Sequence, residues 1–254
     1  MTELMLPSRA VVQIAGPDAR TWLQGLVTQD VTRPAPLYAG LLSPQGKLLF
    51  DLHLHDDGAG GFLADVAADR AAELVKRLTL YRLRAQVTIR MRPDLAVHAA
   101  WESMGQHPAD PRLAALGARW IAPAGATPPD DGRYRRWRWS HGVAEGPEEL
   151  GVDRLLWLET NAAELNGVST TKGCYVGQEN TARMHFRGKV RKRLMVATVS
   201  GAGDIVRAGD QAAADVVLHA GDQALLLMRL DYLDAPLTLG GAPATLLRPA
   251  WLTA

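Results

Sequence analysis

Short runs of strand type and helix type follow one another in this 254-residue chain without a regular repeat. Apolar residues alternate with mostly polar ones over 48–55, which predicts a strand with one buried face. Phe62 to Ala67 is the expected antiparallel neighbour of that strand, and two further alternating runs follow at 86–91 and 95–101. Because a doubly wound sheet needs strands and helices in strict alternation, the sequence favours an α+β fold instead.

Three segments are predicted to be helical, and one further segment is predicted to be a strand. The first helix should begin after Gly16-Pro17-Asp18, since proline fits the first helical turn, and the second should begin at Asp69 as its N-cap. Their expected buried sides are Trp22, Leu23, Leu26 and Val27 in the first helix, and Ala72, Val75 and Leu78 in the second. Residues 147–166 also predict a helix, whereas Arg133 to Trp139 alternates like a strand.

The chain divides into two regions by composition. Residues 103–132 are rich in proline, glycine and alanine and predict a loop with one short helix. From Arg191 onward, short strand-like runs are separated by glycine and aspartate turns, which is typical of a small β-barrel or sandwich. The expected division is therefore a main region over 1–188 and a barrel-like domain over 189–254.

Charge and cysteine content limit the partners and the compartment. The formal net charge is +1, so no global field draws the chain to nucleic acid or to an anionic membrane. A single cysteine forms no internal disulfide, which fits a reducing compartment. The first fifteen residues do not resemble a secretory or transit segment, and the cytoplasm is the expected location, with no membrane partner.

The lone cysteine, Cys174, lies in an unusually polar loop flanked by glycines. The stretch 172–179 reads KGCYVGQE, in which Gly173 and Gly177 let the backbone turn sharply. A cysteine beside Lys172 and close to a helix start should have its thiolate favoured. The residues alone leave two interpretations open, a functional thiol loop and a helix-entry turn with a small buried cysteine.

Other candidate sites have simpler structural explanations. One thiol cannot hold an iron–sulfur cluster alone, and nothing positions His185 as the base of a Cys–His pair. His53 and His55 share one face of a strand and could bind a metal, but two exposed histidines are the favoured interpretation, and no metal site is predicted. The arginine-rich runs 133–138 and 187–193 could contact phosphates, although arginines on the solvent face of a strand explain the first run more simply.

Several segments together resemble one family. The stretch 172–179, preceded by Asn166-Gly167-Val168-Ser169 and followed by Arg183 and RGKVRKRL, resembles the signature of YgfZ-type folate-binding proteins. The resemblance is close to the branch that includes the mitochondrial iron–sulfur assembly factors. Further segments resemble the family in the expected order, namely 16–31, 41–52, 81–89 and 225–233.

The resemblance implies a fold like that of the glycine-cleavage aminomethyltransferase, with subdomains in a ring around a central folate cavity. It implies that Glu159 and Asp51 bind tetrahydrofolate or another folate. Phe50 and Ala67 occupy positions where the aminomethyltransferases carry polar residues. Because moving a one-carbon unit requires polar groups near the folate nitrogens, this departure puts transferase activity in doubt.

The leading hypothesis is a tetrahydrofolate-binding accessory factor for assembly or repair of iron–sulfur proteins. Cys174 would supply the reactive or ligating thiol and Lys172 would favour its thiolate. The rest of the loop would orient that thiol or contact an iron–sulfur client or assembly protein, and comprises Gly173, Tyr175, Gly177, Gln178, Glu179 and Arg183. Two alternatives remain, a folate-dependent one-carbon transferase that depends on Asp51, and an RNA-binding factor in tRNA modification.

Overall fold

The computed structural model describes residues 3–101, 105–188 and 190–252. Its strands are β1 Glu3–Met5, β2 Arg9–Ala15, β3 Leu37–Leu42, β4 Leu48–Asp56, β5 Phe62–Ala67, β6 Thr88–Met91, β7 Leu95–Ala100, β8 Ala118–Pro123, β9 Lys192–Val199, β10 Ile205–Ala208, β11 Gln211–Ala220, β12 Gln223–Arg229, β13 Leu237–Leu239 and β14 Ala242–Leu246. Its α-helices are α1 Ala19–Gln24, α2 Ala71–Arg82, α3 Arg133–Ser140, α4 Gly146–Leu150 and α5 Gln178–Arg187. Single 3₁₀ turns lie at Ala68–Arg70, Ala114–Leu116, Trp157–Thr160 and Leu230–Tyr232.

A five-stranded antiparallel sheet in the order β3-β4-β5-β2-β6 forms the centre of the N-terminal part. One face of this sheet is apolar and is covered by α1 and α2. The side chains of this layer include Ile14, Leu23, Leu52, Phe62 and Leu74, all of them buried. Both helices form close to their predicted positions, but the predicted N-cap is wrong, because Asp69 lies inside the preceding 3₁₀ turn and α2 begins after Arg70. The inner side of α2 is Ala71, Leu74 and Leu78, while Ala72 is exposed.

The second face of β4 is buried as well, which contradicts the prediction of a strand with one buried face. Asp51, His53 and His55 point away from the apolar layer and are 4%, 0% and 8% exposed. The amide of Gly146 in α4 lies against Asp51, and His53 lies 3.6 Å from Asp65, which pairs with a second, three-stranded sheet in the order β1-β7-β8. The prediction that the two histidines are exposed is therefore wrong, because a second sheet covers the face that alternation alone assigns to solvent.

Ion pairs connect the two sheets. The carboxylate of Asp65 on β5 accepts hydrogen bonds from Arg9 Nε at 2.6 Å and from Arg119 Nε, on β8, at 2.7 Å. Arg119 also donates to Glu145 Oε2 at 2.8 Å, and all of these groups are buried. Removing one member would leave the opposite charge buried without a partner, which typically costs about 3–5 kcal/mol.

The segment 133–140 is helical, so the prediction of a strand there is wrong. A helical period places Tyr134 and Arg138 together on the buried side of α3, while the exposed Arg136 points elsewhere. Arg138 donates to both carboxylate oxygens of Glu149, at 2.9 and 3.0 Å. The alternation of basic and aromatic residues in this segment therefore belongs to a half-buried helix.

The stretch 147–166 is less helical than predicted. It contains the last four residues of the short helix α4, which begins one residue earlier, and the 3₁₀ turn at Trp157–Thr160. The loop-rich region contains the predicted short helix at Ala114–Leu116, but it also contains β8, which the sequence did not reveal. Proline and glycine surround that strand and mask its pattern.

The C-terminal strands form a closed barrel in the order β10-β11-β12-β9-β14-β13, as the sequence predicts. Its interior is lined by buried side chains such as Met195, Leu226 and Leu239. The outer sides of β9 and β12 contribute Leu194, Val196 and Leu225 to a second cluster around Trp157. The expected α+β class with a terminal barrel is confirmed. In the part of the chain that the structure describes, no helix has the length and apolarity needed to cross a bilayer.

The buried histidines of β4 predict a loss of stability in acid. Desolvation by burial lowers the pKa of His53 well below 6.5 and lowers the pKa of His55 to about 4. Between pH 6.5 and about 4 the unfolded chain therefore binds a proton at His55 that the folded chain does not bind. The free energy of unfolding should fall by about 1.4 kcal/mol per pH unit for each such histidine.

The substitution His55→Gln should reduce the slope of unfolding free energy against pH, measured by urea unfolding between pH 6.5 and 5. The matched control is His219→Gln on the exposed side of the barrel, which should keep the wild-type slope. Equal slopes in all three proteins would show that His55 takes up its proton equally in the folded and unfolded states, which would contradict the prediction.

Candidate functional site

Cys174 lies exposed in the loop that enters α5, and its thiol is free. The loop comes after the 3₁₀ turn at Trp157–Thr160 and the left-handed residue Asn166, and it ends at Gly177. The interpretation of a small buried cysteine in a helix-entry turn is therefore wrong. The chain instead holds the backbone of this loop from several sides and leaves its thiol open to solvent.

The ammonium group of Lys172 fastens the loop to the end of α1. Its Nζ donates to three backbone carbonyls, those of Gln24 at 2.6 Å, Val27 at 2.7 Å and Gln29 at 3.0 Å. An ammonium group has three N–H donors, so these bonds use all of them. Partial burial lowers the pKa of Lys172 to about 8, and the negative charge of Asp30 acts in the opposite direction.

These contacts differ from the predicted role of Lys172, which was to favour the thiolate of Cys174. The three donors point at carbonyl oxygens, and the ammonium also lies 5.2 Å from the centre of the Tyr175 ring. Lys172 is thus a residue that positions the loop. Its influence on the Cys174 thiolate stays a prediction.

The segment 25–29 holds the residues before the cysteine as well. Thr28 Oγ1 donates to the carbonyl of Gly167 at 2.6 Å, and the Ser169 amide donates to the carbonyl of Thr28 at 3.0 Å. Gln29 Nε2 donates to the carbonyl of Asn166 at 2.6 Å. Beyond the cysteine, the Val176 amide donates to the carbonyl of Gly25 at 3.3 Å. We call residues 25–29 the cradle segment, because it binds the loop on both sides of Cys174.

The far end of the loop is fixed by a close approach of two glycines. Gly177 has φ +80°, and a Cβ there would lie 2.3 Å from the carbonyl oxygen of Ser43. The β3–β4 turn, which lies against Gly177, contains Gly46, also with positive φ. Asn180 Nδ2 donates to the carbonyl of Gln45 in the same turn at 2.6 Å. A side chain at Gly177 would therefore push the loop away from the β3–β4 turn.

Two of the predicted loop residues have structural contacts, and two face solvent. Tyr175 is 8% exposed and packs beside Trp157, while its amide donates to Gln178 Oε1 at 3.2 Å. Glu179 and Arg183 form an exposed i,i+4 ion pair of 3.5 Å on α5. Gly173 has open space around its Cα, so no steric reason requires a glycine there.

The two residues predicted to bind folate do not face a common open space. Asp51 is buried against Arg9, with 3.0 Å between Oδ2 and Nη1, and desolvation raises its pKa. The cavity that Asp51 lines holds only about 10 Å³. Glu159 accepts the Leu156 amide at 3.0 Å and so caps its own 3₁₀ turn. This pair, as placed here, does not fit the role of a pterin site.

A larger cavity of about 590 Å³ lies beside the buried ion pairs. Its walls include Arg9, Tyr134, Arg138 and Glu145, and Ala68 lies at its rim. That volume falls within the range of about 300–1,000 Å³ that small-molecule sites occupy. The charged walls belong to side chains that already pair with one another, so the cavity has volume but few unpaired polar groups.

The two arginine runs that were considered for phosphate contacts are partly paired with carboxylates of the protein itself. Arg135 pairs with Glu148 and Glu149, and Arg138 is buried. In the second run, Arg193 pairs with Glu164 at 2.7 Å, and Lys189 lies outside the described residues. Among the residues that the structure describes, no group of three or more histidine, cysteine or carboxylate side chains is arranged to hold a metal ion.

The cradle segment and the β3–β4 turn are the functional residues that the sequence did not reveal. Thr28 and Gly167 are 139 residues apart in the chain, and Lys172 is 148 residues from Gln24. Nothing local in a single sequence indicates such a contact. The sequence assigned a helix and a strand to the segments 16–31 and 41–52, and only the family resemblance connected them with the cysteine loop.

The whole fold is similar to that of an aminomethyltransferase. The crystal structure of glycine cleavage system aminomethyltransferase T from Bartonella henselae matches with a TM-score of 0.75, covering 98% of this chain and 86% of that chain at 11% identity. The family model of the CAF17 C-terminal beta-barrel domain matches residues 191–254. The chain therefore has an aminomethyltransferase-like fold that ends in a closed six-stranded barrel and carries one exposed cysteine loop.

Sequence relatives narrow the family. The mitochondrial iron–sulfur cluster assembly factor IBA57 of Mus musculus is 32% identical over an alignment 287 residues long, gaps included. The alignment covers 91% of this chain and 78% of the mouse protein. IBA57 of Homo sapiens is 35% identical over 227 residues, covering 74% of this chain and 64% of that protein. The IBA57 homolog of Mycosarcoma maydis is 35% identical, covering 75% of this chain and 55% of that protein. The chain belongs to the IBA57 family of iron–sulfur cluster assembly factors.

The relatives also bear on chain length and on location. The chain spans between half and two thirds of the length of the human and Mycosarcoma proteins. The predicted cytoplasmic location is contradicted, because all three relatives are named as mitochondrial proteins. A lone cysteine indicates a reducing environment and does not distinguish one such compartment from another.

The contacts of Lys172 predict that its removal loosens the cysteine loop. Replacing it by methionine keeps the aliphatic chain and leaves three carbonyls without a donor, so we expect faster amide exchange over 167–176 and a loss of about 1–3 kcal/mol in unfolding free energy. Hydrogen exchange read by mass spectrometry measures the first effect. The matched control is Lys76→Met on the exposed side of α2, and equal exchange in both variants would refute the positioning role.

Proposed function

We propose that this chain takes part in the assembly of iron–sulfur clusters, with the Cys174 thiol as the group that meets the cluster or its carrier. Membership of the IBA57 family supports this role, since the relatives carry that function in their names. The observation that carries the proposal is the geometry of the loop, in which a single exposed cysteine is held from both sides by the cradle segment.

One thiol sets the stoichiometry of the site. A [2Fe–2S] cluster normally takes four protein ligands, so this chain would supply one, and a partner protein or a small thiol would supply the others. On binding iron, the thiol releases its proton to solvent and the thiolate becomes the ligand. The exposed position of Cys174 leaves room for such a partner, because the contacts that hold the loop do not cover the thiol.

The fixed backbone of the loop would lower the entropic cost of the encounter. A flexible loop would have to be ordered when the partner binds, at a cost that rises with each residue fixed. Here Lys172 and Thr28 order it in advance. The alternative functions gain no comparable support, because Asp51 is paired with Arg9 and Arg138 is buried.

The substitution Cys174→Ala should abolish the function while leaving the fold intact, because the side chain is exposed. In a strain that depends on this protein, we expect the activity of iron–sulfur enzymes to fall to the level seen without it. The matched control is Thr170→Ala in the same loop, also exposed. Normal iron–sulfur enzyme activity in the Cys174→Ala strain, with the protein present at wild-type amount, would refute the proposal.

We propose separately that a folate occupies the cavity of about 590 Å³, and that Asp51 and Glu159 do not bind it directly. The volume supports this placement, since it lies within the range that small-molecule sites occupy. No step of cluster chemistry depends on this part. The two proposals can therefore fail independently.

Substitution of Ala68 by tryptophan should fill the cavity rim and weaken the binding of tetrahydrofolate by about tenfold or more, measured by anaerobic titration calorimetry. The control is Ala72→Trp, an exposed position on α2 that does not line the cavity. Absence of binding to the wild-type protein, or equal affinity in the two variants, would refute the proposal that folate binds in this cavity.

A further inference from the structure

Helix α5 leaves an aromatic side chain uncovered on the side that faces away from the protein. Phe186 is 74% exposed, and it is the one aromatic residue among the large exposed hydrophobic side chains of the described part of the chain. Thr181 is the buried residue of this ten-residue helix. At 100° per residue, Glu179, Arg183 and Phe186 fall on one face, opposite Thr181.

Two arginines follow this phenylalanine closely in the chain. Arg187 closes α5, and the exposed Arg191 follows it four residues later, at most about 14 Å along the chain. Within the described residues, neither of these two arginines has a carboxylate within ion-pair distance. Arg191 also borders a groove of about 500 Å³ that Lys192, Arg229 and Asp231 complete. We call the set Arg183, Phe186, Arg187 and Arg191 the α5 surface.

The α5 surface lies close to the cysteine. Cys174 precedes the first residue of α5 by four positions, and the helix is about 15 Å long. A protein–protein interface of ordinary size buries about 800 Å² on each partner, which is a patch roughly 30 Å across. The path along the chain from Cys174 to Phe186 is at most about 30 Å, so one interface of ordinary size is wide enough to include both.

We propose that the α5 surface binds an acidic protein that accepts Phe186 in an apolar pocket and so brings its own cluster-ligand cysteines to Cys174. Aromatic residues, phenylalanine among them, and arginine are enriched at protein–protein interfaces relative to the rest of the surface. The unpaired arginines favour a partner of opposite charge and accelerate the encounter. This inference rests on the proposed function, for which it names the chemistry of the partner.

The pattern of charges favours a protein over a nucleic acid. Carboxylates stand between the cations, with Glu179 beside Arg183, Asp215 beside Lys192 and Asp231 beside Arg229. A polyphosphate backbone would meet these carboxylates with repulsion, whereas a protein surface of mixed charge can pair with both signs. The formal net charge of +1 also provides little general attraction for nucleic acid.

The test places a photo-crosslinking benzoylphenylalanine at position 186 of the full chain in a strain that depends on it. We expect a crosslinked protein of acidic net charge that contains at least two cysteines, and a fall in its yield of about tenfold or more when Arg183 and Arg187 are both changed to glutamate. Crosslinks to RNA or to basic proteins would overturn the proposal. A crosslinking yield that stays unchanged after this charge reversal would overturn it as well.

A second measurement separates this proposal from the proposed function. Phe186→Ala should lower iron–sulfur enzyme activity in that strain by about tenfold, with an unchanged unfolding temperature. Leu80→Ala, which truncates an equally exposed side chain on α2, is the matched control. Activity lost in Cys174→Ala but retained in Phe186→Ala would overturn the docking surface alone, and activity retained in Cys174→Ala would overturn the function itself.

Discussion

The carboxylate of Asp65, held between Arg9 and Arg119, is the interaction on which the arrangement of the N-terminal part depends. It joins β5 of the five-stranded sheet to β8 of the three-stranded sheet, at 2.6 and 2.7 Å from the two guanidinium groups. Buried ion pairs of this kind contribute little net stability compared with apolar packing, but they tolerate few alternative arrangements. We infer that these pairs fix the position of the smaller sheet on the polar face of the larger one, while the apolar face is covered by α1 and α2.

The position of α1 in turn determines where the cysteine loop can rest. Helix α1 packs on the apolar face through Leu23, and the carbonyls at and beyond its C-terminal end receive Lys172. Free carbonyls at a helix end normally require a partner, and a lysine ammonium is a suitable one. The loop that results is rigid on both sides of an uncovered thiol. This combination of a fixed backbone and an open side chain is what a shared cluster ligand requires.

The parts of the structure that depend on local pattern could be predicted from the sequence, and the parts that depend on distant partners could not. Alternation identified β4 and β5, and short strands between turns identified the barrel. The same alternation assigned His53 to solvent, because it cannot show that a sheet formed by residues 3–5, 95–100 and 118–123 covers that face. At 133–140, basic and aromatic residues fit both periods, and only the pairing of Arg138 with Glu149 reveals the helical one. The role of Lys172 depended on carbonyls more than 140 residues away.

The central claim is that the protein holds its cysteine loop in place while leaving the thiol open to a partner. The rate of alkylation of Cys174 by a maleimide, measured at increasing urea concentrations below the unfolding transition, tests this claim most directly. A thiol that is exposed in the folded state should react rapidly at a rate that hardly changes with urea. A slow reaction that accelerates in proportion to the unfolded population would show that the folded protein covers the thiol, and would contradict the account.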